Sequence, residues 1–389
     1  MERVIIVGGG LAGIRAAEAL RAQGYEGRLI LVAAEQHRPY DRPPLSKAVL
    51  RGETDDTTVH ADWEALGCEL LLGRQATGLG EALETTAGPL EFDGLVIATG
   101  ATPIRLPGDG PQHVLRTIDD ARGIRAELRA GARLAIVGAG WIGAEVATAA
   151  AKAGCRVTVV EAADAPLAGA VGAEVGSKTA GWYADAGIEL RHGVKVASVE
   201  RGGLDLSGGG SIEADAVVTG IGVRPATAWL AGAGLALDDG VVVDEHLRTG
   251  RPDVLAVGDC AAWWSPRFGR RLRVEHWDTA LNAPDVAAAN LLGGDRAYDP
   301  VPYFWSEQFG RMVQYAGHHP VGDTMVWRGD PGAGGWAACW LSGDRLVAVV
   351  TVDRPRDLVQ ARRAIAGGAL VDAGRLADPG IAVRDAVRS

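Results

Sequence analysis

Two stretches of the chain share one pattern of hydrophobic and glycine positions. In each, four apolar residues are followed by three spaced glycines and then by an alanine-rich segment with few charges. The first reads RVIIVGGGLAG over residues 3–13, and the second reads RLAIVGAGWIG over residues 133–143. A buried strand that turns sharply into a helix packed on the same sheet produces this pattern. The chain is therefore predicted to contain a duplicated strand–turn–helix unit.

The spaced glycines of each unit suit the pyrophosphate of a dinucleotide. The first glycine allows a tight turn, the second lets the backbone approach a phosphate, and the third allows close packing of helix on strand. The free N–H groups at the helix N-terminus favour an anion. We therefore expect nucleotide contacts from two sets of glycines: Gly8, Gly10 and Gly13 in the first unit, and Gly138, Gly140 and Gly143 in the second.

A second predicted strand follows each unit and leads to a glutamate. Residues 28–32 lead to Glu35, and residues 155–160 lead to Glu161. A carboxylate about 20 residues beyond the last glycine accepts hydrogen bonds from a ribose diol. Glu161 would also repel a 2′-phosphate, and residues 162–165 contain no arginine to receive one. We therefore predict NADH rather than NADPH for the second unit.

Three later apolar runs predict strands that end beside the bound nucleotides. They read GLVIATG over residues 94–100, AVVTGIG over 216–222 and VLAVGD over 254–259. Their small or acidic ends add candidate nucleotide contacts: Thr99, Gly100, Gly222 and Asp259. The Asp259 carboxylate is expected to accept from ribityl or ribose hydroxyls, and an N-cap of a helix is its alternative role.

Beyond residue 301 the pattern changes to short alternating segments. They predict an antiparallel α+β domain with a polar, mobile tail. Its strands are expected at 311–315, 323–328, 335–341 and 345–352, and its helix at 356–366. Before this domain, the glycine-rich residues 202–210 are predicted to be a hairpin turn. The fold class is therefore α/β, with two Rossmann-like dinucleotide-binding domains and a C-terminal α+β domain.

The amino-acid composition and net charge exclude some classes of function. The 389 residues are 47% hydrophobic and 23% charged, as in an ordinary globular protein with two or three domains. A formal net charge of −10 argues against general nucleic-acid binding. No apolar run is long enough for a bilayer, and the N-terminus leads directly into a strand rather than a signal peptide, so we expect a cytoplasmic protein.

Four cysteines are widely spaced along the chain: Cys68, Cys155, Cys260 and Cys339. They form no CxxC pair, no metal-ligand spacing and no disulfide framework, so no metal site is predicted and a reducing compartment is expected. The segment HRPYDRPPLSK, residues 37–47, also lacks cysteine. Its cations Arg42 and Lys47 suit charge-assisted bonds to phosphate, and a solvated proline-rich loop is the alternative.

The chain resembles the FAD-dependent ferredoxin reductases of oxygenase systems. These flavoproteins pass electrons from NADH to a small [2Fe–2S] ferredoxin that serves a Rieske dioxygenase or a cytochrome P450. The resemblance extends over essentially the whole chain. It rests on PYDRPPLSK at 39–47, ATG at 98–100, LRT at 115–117, GD at 258–259, EHW at 275–277 and FWSEQ at 304–308.

The resemblance implies a glutathione-reductase-like arrangement, in which the FAD domain is interrupted by the NAD domain. The FAD-binding domain would comprise residues 1–108 and 238–310, and the NADH-binding domain residues 109–237. The C-terminal α+β domain would comprise residues 311–389.

The resemblance also implies roles for residues on the FAD side. Glu35 would accept from the adenosine ribose, and the Ala76 backbone would lie near the adenine. Lys47, Arg116 and Asp259 would contact the flavin or the pyrophosphate. The Trp277 backbone would lie near the pyrimidine end of the isoalloxazine.

A catalytic group is implied in the same way. Pro44 and Trp305 would neighbour the isoalloxazine, and Glu145 would lie near the nicotinamide. Glu145 is expected to form a salt bridge with Lys47.

The chain departs from the family pattern at three places. Ala168 and Gly169 lie where the family usually has an arginine after the second ribose glutamate, and Trp182-Tyr183 replaces a His-Arg pair. Glutamine is frequent in the family around the position of Ala280. The first two departures leave open how strongly NADH is preferred, and the third bears on the flavin edge.

Hydride transfer from NADH to FAD, followed by release of single electrons, is the implied reaction. Two alternatives stay open: a reductase of rubredoxin, a quinone or oxygen, and a redox-signalling flavoprotein with slow turnover. The sequence leaves the oligomeric state open. An acidic ferredoxin is expected to dock on the basic segment 263–273, through Arg267, Arg270 and Arg271, and a solvated hairpin is the alternative there.

Overall fold

Residues 1–388 are described in the computed structural model, and they divide into two units. The first comprises Met1–Asp41, Asp56–Thr102 and Arg224–Pro302. The second comprises Arg42–Asp55, Pro103–Val223 and the chain from Tyr303 onward. None of the helices within residues 1–388 is both long and apolar enough to cross a lipid bilayer.

A five-stranded parallel sheet forms the centre of the first unit. Val4, Ile5 and Ile6 on its middle strand are fully buried, because strands covered on both faces are apolar at every position. The strand order is β18-β7-β1-β2-β3, with β1 (Arg3–Val7), β2 (Arg28–Ala33), β3 (Cys68–Leu72), β7 (Gly94–Ile97) and β18 (Val254–Ala256).

The remaining elements of the first unit are helices and small sheets. The helices are α1 (Leu11–Ala22), α2 (Trp63–Leu66) and α8 (Trp277–Leu291). One small sheet contains β4 (Ala76–Leu79), β5 (Ala82–Thr85) and β6 (Leu90–Glu91), and another contains β17 (Val241–Val243), β19 (Ala261–Ser265) and β20 (Arg270–Leu272). Two further short strands, β8 (Ala101–Pro103) and β16 (Val223–Pro225), pair with each other, and each contains a residue on either side of a unit boundary.

The second unit contains a four-stranded parallel sheet of order β11-β10-β9-β15. Its strands are β9 (Arg133–Val137), β10 (Arg156–Glu161), β11 (Glu189–His192) and β15 (Ala216–Thr219). The accompanying helices are α3 (Ile118–Glu127), α4 (Trp141–Lys152), α5 (Ala168–Val171), α6 (Ala173–Ser177) and α7 (Gly181–Asp185). The duplicated strand–turn–helix predicted from the sequence is present as β1–α1–β2 and β9–α4–β10.

The prediction that residues 202–210 form only a hairpin turn is wrong. A strand lies inside this segment, in the antiparallel sheet β12 (Val196–Glu200), β13 (Gly203–Leu206) and β14 (Ser211–Glu213). In β13 the side chain of Leu204 faces the core and is only 1% exposed. Burial of this side chain favours the strand despite the glycines that flank it. The turns lie on either side of β13.

A five-stranded antiparallel sheet of order β21-β22-β25-β24-β23 completes the second unit. Its strands are β21 (Tyr303–Gln308), β22 (Arg311–Gly317), β23 (Thr324–Arg328), β24 (Trp336–Ser342) and β25 (Arg345–Val352), followed by α9 (Pro355–Ala366) and α10 (Ala373–Ala377). The predicted antiparallel α+β domain is confirmed. Because β21 pairs with β22, the sheet begins before residue 311. The three-domain division stays a prediction.

The mobility of the C-terminal tail stays a prediction, although its backbone is hydrogen-bonded to a side chain of β23. The side chain of Arg328 is buried and donates to the Asp357 carboxylate at 2.9 Å. The same guanidinium donates to the carbonyl oxygens of Leu376 at 3.0 Å and Ile381 at 2.6 Å. A buried guanidinium must be hydrogen-bonded on all sides, so it fixes the backbone that supplies its acceptors.

Candidate functional site

The first glycine turn, between β1 and α1, leaves no space for side chains at two of its positions. A Cβ at Gly8, which has φ +127°, would lie 2.1 Å from the Ala98 carbonyl oxygen. A Cβ at Gly13 would lie 1.9 Å from the Gly8 carbonyl oxygen. At Gly10, by contrast, a Cβ would meet nothing within 4 Å. The turn is thus tightly packed against the sheet and open where a phosphate would approach the backbone.

The second glycine turn, between β9 and α4, repeats this geometry. Gly138 has φ +100°, and its Cβ would lie 2.3 Å from the Gly220 carbonyl oxygen. A Cβ at Gly143 would lie 1.9 Å from the Gly138 carbonyl oxygen, and one at Gly140 would again meet nothing within 4 Å. Each unit therefore carries a cradle that fits a dinucleotide pyrophosphate.

A glutamate lies beyond each of these turns. Both carboxylate oxygens of Glu161 accept backbone hydrogen bonds, from Ala139 N at 2.7 Å and Ala163 N at 2.8 Å. These bonds fix the carboxylate beside the second glycine turn. In the first unit, Glu35 accepts a hydrogen bond from the Tyr40 hydroxyl at 2.5 Å. Both carboxylates are therefore held by hydrogen bonds within their own unit.

The parallel pairing of β1, β7 and β18 brings three other predicted residues to the carboxyl end of the first sheet. Because β1, β7 and β18 are neighbours in register, Gly8, Thr99 and Asp259 lie at the same carboxyl end of the sheet. The Thr99 hydroxyl donates to the Ala226 carbonyl oxygen at 2.9 Å. Asp259 lies in a single 3₁₀ turn, Gly258–Cys260.

Three further predicted residues lie in the first unit. Gly100 has φ +71°, and its carbonyl oxygen accepts from Ala226 N at 2.9 Å. Ala76 opens β4 and is buried. Trp277 opens α8, and its indole N–H donates to Asp41 Oδ1 at 2.7 Å.

The salt bridge implied by the resemblance is present in the second unit. The PPLS segment forms the 3₁₀ turn Pro43–Ser46. Directly after it, Lys47 Nζ lies 2.8 Å from Glu145 Oε2 on α4, and their side chains are 13% and 3% exposed. The turn thus places an ammonium group against a buried carboxylate.

Sequence reasoning missed two hydroxyl groups that complete this pair. Ser306 Oγ donates to Glu145 Oε1 at 2.6 Å, and Ser46 Oγ donates to Glu145 Oε2. Both serines are buried. They lie within the PPLSK and FWSEQ segments, so the signal was present, but nothing in the sequence showed that both face the same carboxylate.

The two predicted arginines of the second unit lie together. Arg42 Nη1 donates to the Arg116 carbonyl oxygen at 2.5 Å. The Arg116 backbone N–H in turn donates to Asp120, which caps α3 with Thr117. One donor of Arg42 is therefore used within the protein.

Other predicted residues of the second unit lie on separate elements. Pro44 lies in the 3₁₀ turn, and Trp305 lies on β21 with its ring stacked on Tyr303, centroids 6.1 Å apart. Gly222 has φ +106°, and its carbonyl oxygen accepts from Ile104 N at 3.0 Å.

Two of the three departures from the family pattern lie in the second unit. Ala168 and Gly169 begin α5. Trp182 is buried at 6% exposure, and the Arg311 guanidinium lies over its ring, 4.9 Å from the centroid.

The cysteines have the properties of packed thiols. Burial raises the pKa of Cys68 to about 11 and that of Cys339 to about 12, and it also raises the pKa values of Cys155 and Cys260. These thiols are protonated near neutral pH, whereas disulfide exchange needs a thiolate. Within residues 1–388, no cluster of three or more metal-ligating side chains is present.

Most of the predicted docking arginines are engaged inside the first unit. The Arg267 guanidinium faces Asp299, with Nε 3.9 Å from Oδ2 and Nη2 donating to the Asp299 carbonyl oxygen at 3.3 Å. Arg271 donates to the carbonyl oxygens of Val243 at 2.6 Å and Ala262 at 3.0 Å. Arg270, at the start of β20, is exposed.

Acid is expected to destabilise the first unit through His276. Burial lowers the pKa of His276 from 6.5 to about 4, and the Asp259 charge opposes only part of the shift. Because the folded-state pKa is the lower one, stability is complete above pH 6.5 and is lost as the pH falls towards 4. We expect a loss of about 2 kcal/mol by about pH 5. The difference between the urea unfolding free energies at pH 6.5 and at about pH 5 measures this loss.

A matched pair of variants isolates this effect. His276→Gln should remove most of the loss on acidification, and the same change at the exposed His60 should leave it intact. An equal loss in wild type and His276→Gln would show that another group titrates.

Comparison with known proteins identifies the family. Residues 2–283 match the model described as pyridine nucleotide-disulphide oxidoreductase, and residues 303–387 match the reductase C-terminal model. The chain is 39% identical to the anthranilate 1,2-dioxygenase system ferredoxin–NAD(+) reductase component of Burkholderia cepacia, over 98% of each protein.

Two solved structures extend the match. The crystal structure of Fdr9 is 52% identical, with a TM-score of 0.95 over 98% of this chain and 99% of that one. The covalent putidaredoxin reductase–putidaredoxin complex is 32% identical, with a TM-score of 0.95 over 99% of this chain and 97% of that one.

These matches confirm the predicted fold class, the oxidoreductase class and the cofactors FAD and NADH. The chain belongs to the pyridine nucleotide-disulphide oxidoreductase family, and within it to the FAD-dependent ferredoxin–NAD(+) reductases of oxygenase systems.

Proposed function

We propose that this chain binds FAD at the first glycine turn and NADH at the second, and that it delivers single electrons to a [2Fe–2S] ferredoxin of an oxygenase system. The two nucleotides supply hydride chemistry and its conversion to single electrons, so the protein has to bind and orient them. The observation that carries the proposal is the repetition of one phosphate cradle in both units, at Gly8 to Gly13 and at Gly138 to Gly143.

On the FAD side, we assign pyrophosphate binding to the first glycine turn and ribose binding to Glu35. Asp259 and Thr99, at the carboxyl end of the same sheet, are the candidates for hydroxyl contacts further along the cofactor. The Trp277 backbone and Ala76 are the remaining candidate contacts.

In the second unit, we assign the nicotinamide end to Glu145 and Lys47, with Pro44 and Trp305 as flavin neighbours. The ion pair fixes the position of the carboxylate, as a group that orients a cofactor requires. The family resemblance supports these roles, and the 2.8 Å contact between Lys47 and Glu145 supports their acting as a pair.

The ferredoxin requirement is tested by reduction of cytochrome c with NADH, with and without a [2Fe–2S] ferredoxin. Strong dependence on ferredoxin is the expected result. Fast reduction that is indifferent to ferredoxin would favour a rubredoxin, quinone or oxygen reductase. Slow turnover with a persistent reduced complex would favour a signalling flavoprotein.

Coenzyme preference is expected to depend on Glu161. Glu161→Gln removes the charge that repels a 2′-phosphate and keeps an oxygen acceptor for one of the two backbone N–H groups. The ratio of kcat/KM for NADH to that for NADPH should fall about tenfold to a hundredfold. Glu161→Asp, which keeps the charge, is the control, and an unchanged ratio in Glu161→Gln would contradict the assignment.

For ferredoxin docking we propose Arg270 as the residue that contributes charge, with Arg267 and Arg271 shaping the β19–β20 hairpin. Trp264 on the same hairpin is 40% exposed. Arg270→Ala should lower the rate of ferredoxin reduction at low salt by about twofold to fivefold and flatten its dependence on ionic strength. Arg201→Ala, at another exposed arginine, is the control. An unchanged salt dependence in Arg270→Ala would exclude this surface.

A further inference from the structure

The FWSEQ segment contains two buried polar side chains that the proposed function does not use. Ser306 is 0% exposed and Gln308 is 1% exposed, both on β21. Their side chains point to the same face of the strand, because they are two residues apart. Gln308 Nε2 donates to Ser306 Oγ at 3.1 Å.

This hydrogen bond continues to Glu145. Ser306 Oγ has one proton, and it donates that proton to Glu145 Oε1 at 2.6 Å. Gln308 Nε2 donates to Ser306 Oγ and so occupies one of the two lone pairs of that oxygen. This contact helps to orient the Ser306 hydroxyl towards Glu145. The direction of the chain is therefore Gln308 to Ser306 to Glu145.

The other carboxylate oxygen of Glu145 is held from a different element. Glu145 Oε2 accepts from Lys47 Nζ at 2.8 Å and from Ser46 Oγ. One oxygen is thus fixed by the PPLSK turn and the other by β21. With both oxygens held, rotation of the carboxylate would break a hydrogen bond to a charged group, which is among the stronger kinds in proteins.

We propose that Ser306, supported by Gln308, is a positioning residue for Glu145. The inference rests on the proposed role of Glu145 at the nicotinamide. It assigns to β21 the task of fixing the orientation of that carboxylate, while Lys47 supplies the neutralising charge.

The test is a double-mutant cycle on the FAD-loaded enzyme. Stopped-flow reduction by NADH is measured in the wild type, Ser306→Ala, Glu145→Gln and the double variant. Ser306→Ala should lower the limiting rate of flavin reduction about tenfold to a hundredfold, as expected for loss of one hydrogen bond to a charge. In the Glu145→Gln background the same change should have less than about a twofold effect.

Two further variants separate positioning from general damage. Ser306→Thr keeps the hydroxyl and should restore the rate to within about twofold of the wild type. Ser198→Ala removes another serine hydroxyl of the second unit that donates to a carboxylate, that of Glu200, at 2.6 Å. It should leave the limiting rate unchanged.

Readouts that do not depend on turnover complete the test. NAD+ affinity by calorimetry should change less than about twofold in Ser306→Ala. The urea unfolding free energies of the four proteins should show coupling between Ser306 and Glu145. Coupling in unfolding with an unchanged reduction rate would overturn the positioning role and leave the proposed function intact. Equal rate effects of Ser306→Ala in both backgrounds would also overturn it. A wild type that NADH does not reduce would end the proposed function and this inference with it.

Discussion

Gly143→Ala is expected to abolish reduction by NADH in a protein that still contains FAD, and Gly13→Ala is expected to give a protein that does not retain FAD. In both cases the new Cβ would lie 1.9 Å from a backbone carbonyl oxygen, closer than the chain allows without moving the helix. Displacement of α4 would separate its N-terminus from the second glycine turn, and displacement of α1 would do the same in the first. Each cradle would lose its anion-binding geometry.

The measurements are bound flavin per chain and the rate of flavin reduction by NADH. In Gly143→Ala we expect the rate of flavin reduction to fall at least about a hundredfold, and in Gly13→Ala we expect the affinity for FAD to fall by at least the same factor. In each variant both the phosphate contacts and the helix packing are disturbed.

Open glycine positions provide the controls. A Cβ at Gly80 or Gly181 would meet nothing within 4 Å, so alanine there should change neither measurement. Gly10→Ala and Gly140→Ala are also free of protein contacts. They should leave unfolding unaffected and weaken nucleotide binding, because the open space is the phosphate side. If Gly13→Ala and Gly143→Ala both lost FAD equally, the assignment of one nucleotide to each turn would be wrong.

Lys47→Met is expected to destabilise the second unit and to slow reduction by NADH. It leaves the Glu145 carboxylate, 3% exposed, with hydroxyl donors alone. Removing one member of a buried pair costs about 3 kcal/mol or more, because the remaining charge stays desolvated. Reduction should slow at least about tenfold as the carboxylate loses its fixed position.

The double variant Lys47→Met, Glu145→Gln separates the two effects. It should recover most of the unfolding free energy, since no unpaired charge remains, and should not recover the rate of reduction. Arg122→Ala, which breaks an exposed pair with Asp119, is the control and should cost less than about 0.5 kcal/mol. Recovery of both stability and rate would contradict a role for Glu145 in reduction.

The elements that the sequence predicted are those determined by local periodicity. The apolar run before Gly8 and the alanine-rich run after Gly13 are contiguous, so strand, turn and helix could each be predicted without knowing the partner elements. The same holds for the second turn. The Lys47–Glu145 pair came from the resemblance and was confirmed by the 2.8 Å contact.

The features that sequence reasoning missed depend on residues distant in the chain. Ser306 and Glu145 are 161 residues apart, and Arg328 holds carbonyl oxygens about 50 residues further along. Hydrogen bonds between residues so far apart in the sequence leave no periodic pattern in it. Leu204 illustrates a different failure, because its burial depends on pairing with strands on both sides while its glycine neighbours indicate a turn.

Anaerobic titration of the purified protein with NADH, followed by its visible spectrum, tests the central claim most directly. The protein is first treated with an alkylating reagent, so that every accessible cysteine is blocked. One NADH per chain should then bleach the bound flavin completely. Added oxidised [2Fe–2S] ferredoxin should restore the flavin absorbance. A colourless protein, a flavin that NADH leaves oxidised, or bleaching that disappears on alkylation of a thiol would contradict the account.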